Sequence, residues 1–409
     1  PAKLFGMKAT EFFAGFGTTI WSTRRGETTY GFKWLPFGGY TKIIGMYPVD
    51  VTHRRSTWLT RVADQARQAE SEEITPQDRG RLFCDKPVWQ RLVVMSGGIL
   101  TNLLLAFLLF WGVFGIAGRP AQTTSVAAVN ECVLSTSDPS RSCTANDPET
   151  PAHRMGLQPG DEVVSFNGVE VTSWEQLSDL IRANTDQPAT LVIVRDGQRR
   201  TLPTVNTVTN TVRDRLDPTR TVEAGFLGFM PQAVVVHSGP GGTVSEMWQM
   251  SKQSLHALVR LPVLTWNVAS DVVTGKARDV NSPMSIVGAS VVAGDVAAND
   301  QLTTGDKVAF GVSLLGGLNL FLFWLNVIPL PPMDGGHIAG AIYEWIKRGV
   351  FRVLGRPDPG PADTAMMLPV AWVIGGALLV MGIILIIADL VSPVPVSYTH
   401  LRAHETGRN

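Results

Sequence analysis

Three stretches without a single charged residue constrain this chain more than any other feature: Leu92 to Gly118, Val308 to Met333 and Thr364 to Ala388, of 27, 26 and 25 residues. A helix needs about 20 apolar residues, rising ~1.5 Å each, to cross the hydrocarbon core of a bilayer. All three are long enough. The third, LPVAWVIGGALLVMGIILIIA, is apolar around its whole circumference, which excludes a half-exposed surface helix. A polytopic α-helical membrane protein with the lipid bilayer as its first partner is therefore expected. Only 17% of the residues are charged, against roughly 25% in soluble domains. The 35 basic and 35 acidic side chains cancel, without the basic excess of an electrostatic nucleic-acid binder. No nucleic-acid partner is expected.

Charge in the connecting segments orients the spans. Residues 1–91 carry 14 basic and 9 acidic side chains, and 119–307 carry 15 and 20. Short basic flanks stay cytoplasmic, and Lys86 and Arg91 flank the first stretch while Lys347, Arg348, Arg352 and Arg356 follow the second. The resulting organisation is a cytoplasmic-side segment 1–91 holding a membrane-associated β-hairpin at about 30–46, a span at 92–118, and an extracytoplasmic region 119–232. An amphipathic, interfacial segment 233–307 follows, then spans at 308–340 and 364–388. Residues 394–409 show neither periodicity nor capping logic. They resemble translated adapter sequence and read as a non-native tail.

Within the outer region, HRMGLQPGDEVVSFNGVEV holds a Gly-Leu-x-Pro-Gly-Asp turn (Gly156, Leu157, Gly160, Asp161), a short β run and an Asn167-Gly168 turn. Ser173 then caps a helix with Trp174, Leu177, Leu180 and Ile181 at helical spacing. LVIVRDGQRRTL reads as two strands around an Asp-Gly turn. This order, over about 151–204 with a final strand at 225–230, resembles an α+β PDZ domain of the kind attached to bacterial proteases. The resemblance implies either an extended peptide bound as an added strand or a purely steric gate. Cys132 and Cys143 stand either as free thiols or as a disulfide closing a 12-residue loop, worth at most about 3 kcal/mol.

The string Asn326 to His337, NVIPLPPMDGGH, is a physical contradiction. Three prolines break the helix ladder at the end of an apolar span, and a carboxylate follows at once. Irregular backbone at membrane depth survives only when buried in protein or lining a cavity, and an ionisable residue there marks function. The motif N-x-x-P-x-P-x-[LM]-D-G-G resembles that of the site-2 protease family, zinc metalloproteases that cut within the membrane. The resemblance implies Asp334 as a ligand of one zinc ion, and Asn326, Pro329 and Pro331 beside the substrate strand. His337 reads as a packed or wetted histidine and not as a second ligand.

The resemblance extends over about residues 1–392. KLFGMKATEFFAGFG is similar to the stretch after the family's catalytic helix, and YGFKWLPFGGYTKIIGM to its membrane-associated hairpin. Gly38, Gly39, Tyr40 and Lys42 of that hairpin are implied to meet the unwound substrate. The family's H-E-x-x-H, two zinc histidines on one helical face with a glutamate as general base, does not occur in the sequence. No catalytic residue is therefore assigned, the cut is expected to fall just past the metal helix, and the chain as given is expected to be inactive. The implied function is intramembrane zinc endopeptidase acting on transmembrane proteins such as anti-sigma factors, multi-pass in the bacterial cell membrane, with the PDZ domain extracytoplasmic. The alternative is a non-catalytic, membrane-anchored PDZ adaptor. A rhomboid-type serine site and a G-x-G-D aspartyl site both fail, because Ser96 lacks a Gly two positions earlier and Gly305-Asp306 follows Thr303-Thr304.

Overall fold

Long apolar runs become helices because a backbone without water must satisfy its own donors. In a computed structural model of the chain, the described residues are 1–47, 61, 63–65, 67–68, 74–78, 80–133, 143–144, 147–213, 221–276, 278, 282–362 and 364–394. Among them, Val88–Ile116, Thr304–Val327 and Thr364–Val391 are long and apolar enough to cross a membrane. Helix α1 (Val88–Ile116) opens after Pro87, whose carbonyl accepts from Gln90 N at 3.0 Å. It closes at Gly118, which takes φ 75° and returns its N–H to Val113 O at 3.1 Å. A left-handed glycine of this kind satisfies carbonyls that the helix end leaves free.

The chain forms two compact units, Pro1–Leu109 with Leu314–Ile384, and Phe110–Ser313 with the described residues from Leu385 onward. The first holds an antiparallel pair, β1 (Ala9–Arg25) and β2 (Thr28–Ile43). The hairpin thus starts at Ala9, well before the expected 30–46. Its register explains the difference: Glu11, Phe12, Phe13 and Ala14 have partners on both sides, Thr29 to Phe32 on one and Gly39 to Lys42 on the other. The two strands bend back so that the start of β1 becomes an interior strand. Gly31 and Gly39 permit this, since a Cβ there would lie 2.5 Å from Trp21 O and 2.7 Å from Phe13 O respectively. Thr28, buried, donates its hydroxyl to Ala9 O at 2.5 Å and ties the turn to the sheet.

The second unit holds a six-stranded sheet whose main path runs β9-β3-β4-β5-β6, with Val169–Glu170 paired to β4. These are β3 (Arg119–Val129), β4 (Glu162–Phe166), β5 (Leu191–Arg195), β6 (Gln198–Thr201) and β9 (Phe229–Val236); β7 (Val208–Arg213) and β8 (Thr221–Phe226) form a separate hairpin. Asn167 and Gly168 (φ 46° and 80°) and Asp196 and Gly197 (φ 54° and 75°) both turn with positive φ, the geometry that matches strand twist in a two-residue hairpin. Helix α2 (Trp174–Ala183) is capped by Ser173, which accepts from Gln176 N at 3.2 Å. It buries Leu177 and Ile181 against Val163, Phe166, Leu191 and Ile193. Cys132 and Cys143 are joined in a disulfide.

Helix α3 (Pro240–Thr274) buries Met247 and Leu258 but leaves Leu255 exposed, and α4 (Ile286–Ala298) follows. The second apolar span is shorter than the expected 308–340. Helix α5 (Thr304–Val327) ends, a non-helical turn runs to Met333, and α6 (Asp334–Val353) begins. Pro329, Pro331 and Pro332 supply no N–H, so the ladder cannot continue through them. Helix α7 (Leu368–Val391) completes the described chain; residues 395–409 of the expected tail lie outside it.

Candidate metal and substrate site

The turn between α5 and α6 is folded onto two glycines. A Cβ on Gly335 would lie 2.3 Å from Ile328 O and 2.7 Å from both Asn326 O and Val327 O. One on Gly336 would lie 2.7 Å from Pro331 N and 2.9 Å from Leu330 C. Only hydrogens fit there, so the Asp-Gly-Gly string lets the last carbonyls of α5 rest directly on the start of α6. Leu330 N donates to Ile328 O at 2.8 Å and Met333 N to Leu330 O at 3.1 Å, which holds the turn. The Pro331–Pro332 bond is cis.

Asp334 is the first residue of α6. A carboxylate at that position meets the partial positive charge of the helix N-terminus. It is partly buried, and its Oδ2 is 3.5 Å from where a Cβ on Gly98 of α1 would stand. On the neighbouring Gly97, the Pro1 ring lies at the same 3.5 Å from the equivalent point. Two adjacent glycines of α1 thus admit Asp334 at one position and Pro1 at the other. Among the described residues no group donates a hydrogen bond to Asp334. Asn326 lies in the last turn of α5 and is partly buried; Pro329 is exposed and Pro331 buried.

The expected substrate-side residues of the hairpin lie along β2. Tyr40 donates its hydroxyl to Glu11 Oε2 at 2.6 Å and stacks on Phe13, ring centroids 5.8 Å apart. Lys33 Nζ sits 4.8 Å over the Phe13 ring and 4.9 Å over Tyr40. Gly38, Gly39 and Lys42 continue the same strand. Gly39 to Lys42 pair with Ala14 to Glu11 of β1.

In the turn expected as a PDZ-type loop, Gly156 and Gly160 are exposed while Leu157 and Asp161 are buried. Asp161 is buried and accepts from Arg195 Nε at 2.6 Å, Arg195 Nη2 at 2.7 Å and Gln158 N at 2.8 Å. Burial alone would raise its pKa, but the guanidinium and the backbone donor hold it below the usual carboxylate range. Arg195 also donates to Gly156 O at 2.9 Å, and Leu157 belongs to the core. Gly156, Leu157, Gly160 and Asp161 here build the turn itself.

A match to the model of peptidase family M50 spans residues 1–353. The chain belongs to peptidase family M50. Its M50 relatives include the zinc metalloprotease Rip1 of Mycolicibacterium smegmatis, 30% identical over 97% of this chain and 93% of that protein. Rip1 of Mycobacterium tuberculosis is 30% identical over 96% and 92%, and the zinc metalloprotease RasP of Geobacillus kaustophilus 22% over 85% and 84%. Family and apolar helices together give an M50 membrane protein.

Zinc takes four N, O or S donors in tetrahedral geometry. Asp334 suits it as one oxygen donor, being partly buried and without a competing hydrogen bond among the described residues. No three His, Cys, Asp or Glu side chains converge on such a point among the described residues, so the donor set here is incomplete. Two features of this M50 site were not assigned from sequence: Gly98 as the surface Asp334 lies on, and Gly335-Gly336 as the floor of the turn. The second carried a signal, adjacent glycines beside adjacent prolines; the first depends on which helix Asp334 meets.

Proposed function

We propose that this chain is the substrate-binding body of a site-2-type intramembrane zinc endopeptidase that cleaves membrane-spanning proteins, anti-sigma factors among them. One observation carries the reading: a partly buried carboxylate without a hydrogen-bond donor, locked by a proline-glycine turn at the end of an apolar span. A bound zinc ion would supply an activated water and polarise the scissile carbonyl. Asp334 would hold one of its positions, and an H-E-x-x-H motif would supply the remaining protein donors and the general base. Residues 1–409, having no H-E-x-x-H, do not turn over.

The chain's own residues handle the substrate. A transmembrane helix hides its carbonyls and must unwind before attack. The hairpin strand from Gly39 to Ile43 receives the unwound substrate as an added strand, and Asn326, where α5 ends, holds its backbone. The α+β domain is placed outside the cytoplasm, in keeping with the Cys132–Cys143 disulfide and an oxidising compartment, where it acts as a PDZ-type peptide binder or gate. A bare adaptor has no use for the turn at Asn326 to Asp334.

The test extends the chain upstream through the H-E-x-x-H helix and measures bound zinc and cleavage of a transmembrane reporter. About one zinc per chain is expected, with both zinc and cleavage lost in Asp334→Ala. A Lys42→Pro variant should keep zinc and lose cleavage. Absence of zinc in the extended chain, or full cleavage by Asp334→Ala, would overturn the proposal.

A further inference from the structure

We infer that the cleft between the start of α1 and the second half of α6 is a binding site for an anionic phospholipid. Its phosphate sits on Arg348 and Arg352, and its acyl chain lies against Trp345, Val350 and Val353. The inference stands apart from proteolysis and needs only the membrane location.

The cleft has a volume of about 760 Å³ and lies between Pro87-Val88-Trp89 and the stretch from Trp345 to Leu354. Trp345, Gly349 and Val353 follow one another at four-residue spacing, a single stripe of the helix, and Arg348 and Arg352 form the neighbouring stripe. Trp89 is 57% exposed, Trp345 67% and Val353 87%. An apolar stripe this bare, next to a span, is matched by acyl chain and not by water. Indole rings settle at headgroup level, which puts the two tryptophans at the depth of a lipid phosphate.

The charges select the headgroup. From Glu344 to Asp358 the chain carries Lys347, Arg348, Arg352 and Arg356 against those two carboxylates. Both carboxylates are engaged: Glu344 with Arg91 at 2.5 Å and Arg348 at 3.3 Å, Asp358 with Arg348 at 3.4 Å. Arg352, which lines the cleft, has no carboxylate partner among the described residues. Arg348 Nε is buried and makes no hydrogen bond, although it lies 3.4 Å from Asp358 Oδ1, and its Nη2 lies 3.3 Å from Glu344 Oε1. The guanidinium fork matches phosphate oxygens bidentately. Clustered cations beside a span attract an anionic leaflet by about 1 kcal/mol each. The walls are side chains of two helices and not a strand edge, so an extended peptide finds no ladder here.

Gly349 supplies the decisive perturbation. A Cβ placed on it meets nothing within 4 Å, so a large side chain starts into open space there and should occupy the cleft without altering a charge. The full chain in detergent micelles would be titrated with dibrominated phosphatidylglycerol or dibrominated phosphatidylcholine, bromine quenching tryptophan on contact. Phosphatidylglycerol should half-saturate at a mole fraction about thirtyfold lower, one surface charge's worth for each arginine. Arg352→Gln should shift that midpoint about fivefold, Trp345→Phe should remove part of the quenched signal, and Gly349→Phe should abolish the preference. Excess inorganic phosphate should leave the titration unchanged; displacement by it would show that the anion alone is the ligand and overturn the lipid assignment. Equal quenching by the two lipids would also overturn it. So would a preference that survives in Gly349→Phe, which marks diffuse attraction instead of a site. If Gly349→Phe lowers the melting temperature, Arg352→Gln, at a side chain without an ion-pair partner, decides alone: an unshifted midpoint refutes the inference.

Discussion

Arg278 and Asp389 offer the sharpest test of how the second unit is held. Both side chains are 1% exposed, and Nη1 meets Oδ1 at 2.5 Å. The other carboxylate oxygen accepts from Ser285 N at 2.6 Å and Gly288 N at 3.1 Å, where α4 begins, and Arg278 also donates to Pro283 O. Removing one member of such a pair strands the other charge. Arg278→Met and Asp389→Asn should each cost about 3–5 kcal/mol. The double variant strands no charge and loses only one or two hydrogen bonds, at ~1–3 kcal/mol each, so it should cost less than the two singles together by about 3 kcal/mol, the upper end of the range seen for contacting residues. Gly288→Ala should behave as a third single, because its Cβ would lie 2.6 Å from the Asp389 carboxylate. The assay is reversible unfolding by dodecyl sulfate in mixed micelles, followed by tryptophan fluorescence and circular dichroism. Singles that each cost under about 1 kcal/mol, or costs that add to within about 0.5 kcal/mol, would refute the reasoning.

Gly335→Ala forces a methyl to within 2.3 Å of a backbone oxygen, so a loss of about 3 kcal/mol, the upper end for overpacking, should appear as a lowered melting temperature. Asp78 is buried and held down to a pKa of about 2, chiefly by Lys8 and then by the Thr75 hydroxyl and N–H. Its contribution to stability should be complete above its ordinary value of 3.8 and be lost as the pH falls toward about 2, and Asp78→Asn should flatten that part of the curve. Arg195→Lys gives up the fork on Asp161 and the bond to Gly156 O, and should destabilise the chain by about 1–3 kcal/mol in urea titrations.

What could be read from sequence was what neighbouring residues decide. The apolar spans announce themselves by missing charge, the Asn-Gly and Asp-Gly turns by residues that tolerate positive φ, and α2 by a serine before its apolar stripe. Asp334 stood out because prolines and a carboxylate are costly at the end of a span. What escaped is set by where the chain returns. Arg278 and Asp389 are 111 residues apart, and Arg91 and Glu344 are 253 apart, so no local pattern marks either pair. The hairpin was read too short because Gly15 and Gly17, with φ of 91° and 85°, interrupt the alternation that would have marked β1.

The strands that enter and leave the α+β domain are neighbours in its sheet. Arg119, at the start of β3, is opposite Val236, at the end of β9, and Ser238 N bonds to Phe114 O in the last turns of α1 at 3.0 Å. Opposed residues of an antiparallel pair stand about 5 Å apart, a gap that a two-residue hairpin turn closes. The domain is therefore a removable cassette: cutting after Gly118 and before His237 and inserting Asn-Gly should leave α1 and α3 joined at their present spacing. Another module whose ends lie equally close could be spliced in at the same point without redesign of the two helices.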